Sequence, residues 1–139
     1  MRTQEEILER IREVKDKDIF GFEWQSLADY LDYENVKPLI KEDVTRDKWK
    51  KETRTPKEVM IEYMPFAWDK ANNKRGLSAG RSIYHYKAWL WLDGNDKLSE
   101  DIEHYNYYGK PQLIEICEEI CEYLGIDHKQ YDDGVRENN

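Results

Sequence analysis

The apolar run from Ala88 to Leu92 is the feature that most constrains how this chain can fold. It reads Ala-Trp-Leu-Trp-Leu, and consecutive apolar residues cover nearly the whole circumference of a helix. Trp89 and Trp91 lie about 200° apart around the helix axis, so they face different neighbours. Such a helix must be covered on all sides. We expect it to be a central core helix, or else to be buried in a homodimer seam or against a partner.

Helix start signals are frequent elsewhere. Thr3 with Glu6 and Thr55 with Glu58 form capping boxes, which place a helix start at each threonine. Pro65 should kink or divide the helix that begins after Thr55, because proline removes a backbone hydrogen bond.

The second half of the chain also carries signals for helix starts and ends. Ser78 is expected as the N-cap of the Trp-rich helix, which should end at Asp93 and Gly94. Shorter helices are predicted over residues 95–104 and 111–124, the last stopped by Gly125.

No segment shows the sustained alternation typical of strands, so the sequence predicts no sheet. The 139 residues suit one domain, and 5 Trp, 10 Tyr and 3 Phe supply a core although 37% of the residues are charged. We predict an all-α, compact single-domain bundle of five to seven helices around a central Trp-rich helix. Residues 1–126 form the domain, and residues 127–139 form a flexible acidic tail.

The chain has no apolar run of about 18 residues or more, so no membrane contact is predicted. Its N-terminus reads as a charged helix without a signal-peptide core, which predicts a cytoplasmic protein. Cys117 and Cys121 lie on one apolar helical stripe. We expect them to be reduced core thiols, because two cysteines in one helix suit a disulfide poorly.

A basic segment stands out in this acidic protein, whose net charge is −8. Residues 70–92 carry five bases and no acid, between flanks of −4 (residues 1–69) and −9 (residues 93–139). Positive charge beside a glycine-rich break and a helix start indicates an anion- or partner-binding site. The alternative is an internal salt-bridge patch that positions the Trp-rich helix. The predicted binding residues are Lys74, Arg75, Arg81, Tyr84, His85 and Lys87.

Motifs for catalysis or metal binding are weak. The string GLSAG at residues 76–80 matches a nucleophile elbow, but no buried strand precedes it, so Ser78 is better explained as a helix cap. His85, His104 and His128 have no metal-ligand spacing, and two cysteines four apart in a helix are not a usual zinc pair. We predict no catalytic residue, no metal and no cofactor.

Three segments carry a resemblance: EYMPFAWDKANN, NNKRGLSAGRSIYHYKAWLWLDGNDKL and YYGKPQLIEICEEICEYLGID. They resemble small proteins of phages, plasmids and other bacterial mobile elements, over most of residues 59–127. The resemblance brings no established activity, cofactor or catalytic residue. It implies a small accessory protein whose partner is nucleic acid or a host or phage protein.

The sequence therefore predicts a non-enzymatic binding protein of a mobile element that acts by contact with a macromolecule, most simply a protein. One alternative is nucleic-acid or nucleotide binding by the basic segment 70–87. Another is a small phosphate-handling enzyme that uses His85 and Arg81. A homodimer through the helix of Trp89 and Trp91 is a further expectation.

Overall fold

The part of the chain that the structure describes is built from helices and turns. The computed structural model describes residues 1–40, 47–72, 77–104 and 110–131, without the side chains of 77–81, 110 and 111. These residues contain no β-strand, which confirms the all-α prediction for them. Their helices are α1 (Gln4–Val14), α2 (Phe22–Ala28), α3 (Tyr33–Val36), α4 (Pro56–Asn72), α5 (Leu77–Leu92), α6 (Asp96–His104) and α7 (Lys110–Leu124). Residues 129–131 add a short helical segment. If this segment is counted, the described residues contain eight helices, one more than the predicted maximum of seven. None of the helices in these ranges is long and apolar enough to cross a membrane.

Both predicted capping boxes are present. The Thr3 hydroxyl accepts a hydrogen bond from the Glu6 amide at 3.2 Å, and the Glu6 carboxylate accepts one from the Thr3 amide at 3.2 Å. Thr55 and Glu58 repeat the arrangement at the start of α4, again with two bonds of 3.2 Å. Each box satisfies backbone donors that have no partner inside the helix.

Helix ends agree with the glycine signals, with two corrections elsewhere. Gly94 (φ 93°) follows α5 and Gly125 (φ 75°) follows α7, both in the left-handed region. Pro65 lies inside α4, so it does not divide that helix, and the kink predicted as the alternative stays a prediction. Helix α5 already begins at Leu77, so the backbone of Ser78 lies in the first turn and Ser78 is not the N-cap.

The Trp-rich helix α5 packs against α2, α4, α6 and α7. Four residues of its apolar run, Ala88, Trp89, Leu90 and Leu92, are at most 9% exposed. Trp91 is half-buried beneath two guanidinium groups, with Arg2 at 4.6 Å and Arg10 at 5.8 Å from its ring centre. Residues of the same chain thus cover both tryptophans. The homodimer through this helix stays a prediction.

The two cysteines lie in the core as expected. Cys117 and Cys121 are both completely buried on α7 and unpaired. Burial raises the pKa of the Cys121 thiol to about 12 and also raises that of Cys117. Both are therefore neutral thiols that fill core volume.

The beginning of the predicted tail packs on α4. The ring of His128 stacks on Trp68 at 4.9 Å, and Tyr131 lies 6.3 Å from the same indole. The packed part of the chain therefore extends beyond residue 126. Residues 132–139 lie outside the described residues.

A buried ion network joins side chains of four helices. Glu23 of α2 accepts hydrogen bonds from Lys87 of α5 at 2.9 Å and from Arg10 of α1 at 2.8 and 3.0 Å. Lys87 also pairs with Glu103 of α6. The side chains of Lys87 and Glu23 are only 4% and 8% exposed. Two buried charges are tolerated here because each is paired more than once.

This network corrects the interpretation of Lys87 as a binding residue. Its ammonium is turned into the protein and neutralised by Glu23 and Glu103. An outside anion would have to replace two carboxylates and open the contact between α5 and α6, which the Ser99 hydroxyl closes by donating to the Lys87 carbonyl at 2.8 Å. For this residue, the internal salt-bridge alternative is the correct one.

We predict that Lys87→Met lowers the free energy of unfolding by about 2–4 kcal/mol, because it leaves Glu23 buried with one partner fewer. Lys97→Met is the matched control, since Lys97 pairs with Asp101 but is 83% exposed. Urea denaturation should show no measurable change for the control. Equal effects of the two substitutions would contradict the assignment of Lys87 to a buried network.

Candidate functional site

The structure describes only some of the side chains of the predicted site residues. Lys74 and Arg75 lie outside the described residues. Arg81 lies on α5, but its side chain is not described, so these three residues stay predictions. Tyr84 and His85 are half-buried on the same helix. Of these two, His85 has the more completely defined surroundings.

His85 is held as a neutral imidazole. The Ser26 hydroxyl donates to the Phe22 carbonyl at 2.8 Å and lies 2.8 Å from Nδ1 of His85. With the hydroxyl proton on that carbonyl, we assign Nδ1–H as the donor to Ser26 and Nε2 as an acceptor. Burial lowers the pKa of His85, against a smaller opposing effect of Asp18. The neutral ring adds no positive charge to the basic segment at neutral pH.

Five rings form a continuous row from the turn before α2 to α4, which we call the ring row. Successive ring centres lie 5.8, 5.1, 6.5 and 5.1 Å apart in the order Phe20, Phe22, His85, Tyr63 and Phe66. The terminal members Phe20 and Phe66 are 51% and 47% exposed. The row therefore begins and ends at the surface and passes over α5 between those ends.

A cavity of about 610 Å³ lies among α2, α4, α5 and the segment 47–54. His85 and Tyr63 contribute to it as well as to the ring row. Its lining residues are Trp24, Gln25, Ser26, Ala28, Asp29, Tyr30, Ile40, Lys48, Trp49, Lys50, Glu52, Arg54, Val59, Glu62, Tyr63, His85 and Trp89. The volume is within the range of small-molecule sites, roughly 300–1,000 Å³.

Two carboxyl groups in this cavity have opposite environments. Glu52 accepts hydrogen bonds from Arg54 Nε and Nη2, each at 2.8 Å. These bonds lower the pKa of Glu52 to about 2. Burial, together with the charge of Glu52, raises the pKa of Asp29 to about 7. A pair of carboxyls with such separated pKa values is a mark of functional sites.

Three polar ring atoms in the cavity lining have no hydrogen-bond partner among the described residues: Trp24 Nε1, Tyr30 OH and Trp49 Nε1. Trp24 and Tyr30 are only 3% and 5% exposed. Buried polar atoms normally have partners because leaving one unpaired costs about 1–3 kcal/mol. The cavity lining therefore carries polar atoms that no described residue pairs.

Sequence reasoning missed this cavity. Its residues come from positions 24 to 89, and no motif links them. One available signal was Trp49, an aromatic residue within the highly charged run of residues 41–54. In the structure it is half-buried against Tyr33, with ring centres 5.6 Å apart.

The described residues contain no group of three or more His, Cys, Asp or Glu side chains placed to hold a metal ion. No family model matches the chain, and searches of curated proteins and of solved structures returned no match either.

We predict that Asp29→Asn stabilises the protein at alkaline pH and not at acidic pH. The pKa of Asp29 is raised in the folded state. The contribution of Asp29 to the free energy of unfolding is therefore fully present below about pH 4, and it is lost as the pH rises through about 7. At pH 8 the variant should gain on the order of 2 kcal/mol over the natural protein, after discounting for solvent screening. Urea denaturation at pH 4 and pH 8 measures the difference.

The exposed Asp16, changed to Asn, is the control and should show no such gain at pH 8. An Asp29→Asn effect that is equal at both pH values, or larger at pH 4, would contradict the raised pKa.

Proposed function

We propose that this protein is a binding protein that acts through contact with a macromolecular partner, and that a protein docks on the ring row. The observation that carries this proposal is the exposure of apolar side chains at both ends of the row. Phe20 and Phe66 are 51% and 47% exposed, and Ile19, which precedes Phe20 in the chain, is 84% exposed.

Aromatic residues of this kind are typical of protein interfaces. Phe and Tyr are enriched at the centres of interfaces, because they bury much apolar area when a partner excludes water. Large apolar side chains that lie together at a surface mark interaction sites more often than chance exposure. Tyr63 and His85 support the middle of the row, so the exposed ends are joined by packed rings.

The charge beside the row favours an acidic partner surface. The Lys70 ammonium lies 5.2 Å from the ring centre of Phe66, so the basic segment adjoins one end of the row. Lys74, Arg75 and Arg81 follow on the same segment, with Lys87 removed from the set. Positive charge at the rim of an apolar contact speeds association and selects partners of opposite sign.

A lysine over an exposed ring is also a feature of sites for single-stranded nucleic acid, which keeps nucleic acid as the second candidate. The resemblance of residues 59–127 to mobile-element proteins supports the proposal that the protein is an accessory factor of such an element.

We predict that the double change Phe20→Ser and Phe66→Ser lowers retention of the partner at least tenfold in affinity capture from a bacterial lysate, with nuclease added to half of the samples. Both phenylalanines are about half exposed, so the fold should survive. Glu100→Ser, at an exposed position of α6, is the control and should retain the partner. An unchanged set of bound proteins in the double variant would refute docking on the ring row. Loss of binding upon nuclease treatment would favour the nucleic-acid candidate.

A further inference from the structure

We propose that the cavity among α2, α4, α5 and the segment 47–54 binds a small organic cation, that is, an ammonium group on an apolar or aromatic body. This inference does not depend on the docking function of the ring row, because it rests on the interior of the cavity. Its elements are the aromatic rings of the walls, the half-buried carboxylate of Asp29 and the hydroxyl oxygen of Tyr30.

Six of the 17 residues that line the cavity are aromatic. The faces of aromatic rings carry negative potential, so several rings around one space attract a cation and exclude water from it. Trp89 is fixed by Tyr63 at 5.4 Å and by His85 at 5.6 Å, so this part of the wall is pre-formed. The aromatic rings that line the cavity, other than His85, are Trp24, Tyr30, Trp49, Tyr63 and Trp89.

The formal charges of the lining balance, with three acids (Asp29, Glu52 and Glu62) and three bases (Lys48, Lys50 and Arg54), but they are not equally buried. Its titratable and charged groups are Asp29, Tyr30, Lys48, Lys50, Glu52, Arg54, Glu62 and His85. Arg54 is bound to both Glu52 and Glu62, so its charge is more than neutralised. His85 is neutral, and Lys48 and Lys50 are exposed. The remaining interior charge is the carboxylate of Asp29.

Asp29 and Tyr30 lack the partners that a cation would supply. No described residue donates a hydrogen bond to the Asp29 carboxylate or forms an ion pair with it. The Tyr30 hydroxyl is buried and has no hydrogen-bond partner in the part of the chain that the structure describes, and the charges of Glu52 and Asp29 act on it. An ammonium group beside these oxygens would offset the desolvation of Asp29 and its repulsion by Glu52.

The test uses three probes that share a phenyl ring and differ in charge: the benzyltrimethylammonium ion, benzyl alcohol and benzoate. Two-dimensional ¹H–¹⁵N NMR resolves the indole N–H signals of the five tryptophans. We expect saturable shifts with benzyltrimethylammonium at Trp24, Trp49 and Trp89. The signals of Trp68 and Trp91, which are not in the cavity lining, should stay in place. Benzyl alcohol should bind at least tenfold more weakly, and benzoate should produce no saturable shift.

Asp29→Asn should weaken benzyltrimethylammonium binding at least tenfold, whereas Asp16→Asn should bind like the natural protein. The Asp29 variant is expected to be folded and more stable at pH 8, so loss of binding cannot be attributed to unfolding. The probe has a permanent charge, so its affinity should fall about tenfold between pH 8 and pH 6 as Asp29 takes up a proton.

Three results would overturn the proposal: equal or tighter binding of benzoate, unchanged affinity in Asp29→Asn, or shifts spread equally over all five indoles. The absence of any saturable shift with benzyltrimethylammonium up to 10 mM, on the order of the weakest specific affinities, would do so as well.

Discussion

The contact of Lys87 with Glu23 is the interaction on which the arrangement of helices depends. Its two charges are almost completely buried, and burying a lone charge costs far more than any one packing contact contributes. They are stable there only because Arg10 and Glu103 complete the network. Helices α1, α2, α5 and α6 must therefore keep positions in which the four groups meet. Apolar packing alone would tolerate small shifts of these helices, whereas the ion network does not.

This network also determines which part of the basic segment is available for binding. Lys87 contributes to the high positive charge of residues 70–92 in the sequence, but its ammonium is neutralised by carboxylates inside the protein. His85 is neutral, since burial lowers its pKa. The remaining positive charge adjoins exposed rings at Lys70 and Phe66. A surface that combines rings and positive charge suits a macromolecular partner better than it suits a free phosphate.

Much of the fold follows from local sequence signals, because these act over a few residues. Thr3 and Thr55 begin helices as expected, since each capping box needs only a glutamate three residues later. Gly125 stops α7 for an equally local reason. Lys87 and Glu23 are 64 residues apart, and their contact depends on how α2 and α5 pack. A lysine in a run of bases reads as exposed unless the position of its partner is already known.

The same limit explains why the cavity could not be predicted. Asp29 and Glu52 are ordinary acidic residues in the sequence, and their different pKa values arise only when the fold buries one and pairs the other with Arg54. The interior of the fold, including the cysteines on α7, follows from periodicity. Sites that join residues from several helices do not.

The burial of Lys87 can be measured directly by acylation of lysine amines in the native protein, followed by mass spectrometry of the modified peptides. A closed ion network predicts that Lys87 reacts at least about a hundredfold more slowly than the exposed Lys97, since the amine is free only when the network opens. It also predicts that the difference disappears in urea. Equal rates for the two lysines in the native protein would show that the ammonium of Lys87 faces solvent and would contradict the central role given to its pairing with Glu23.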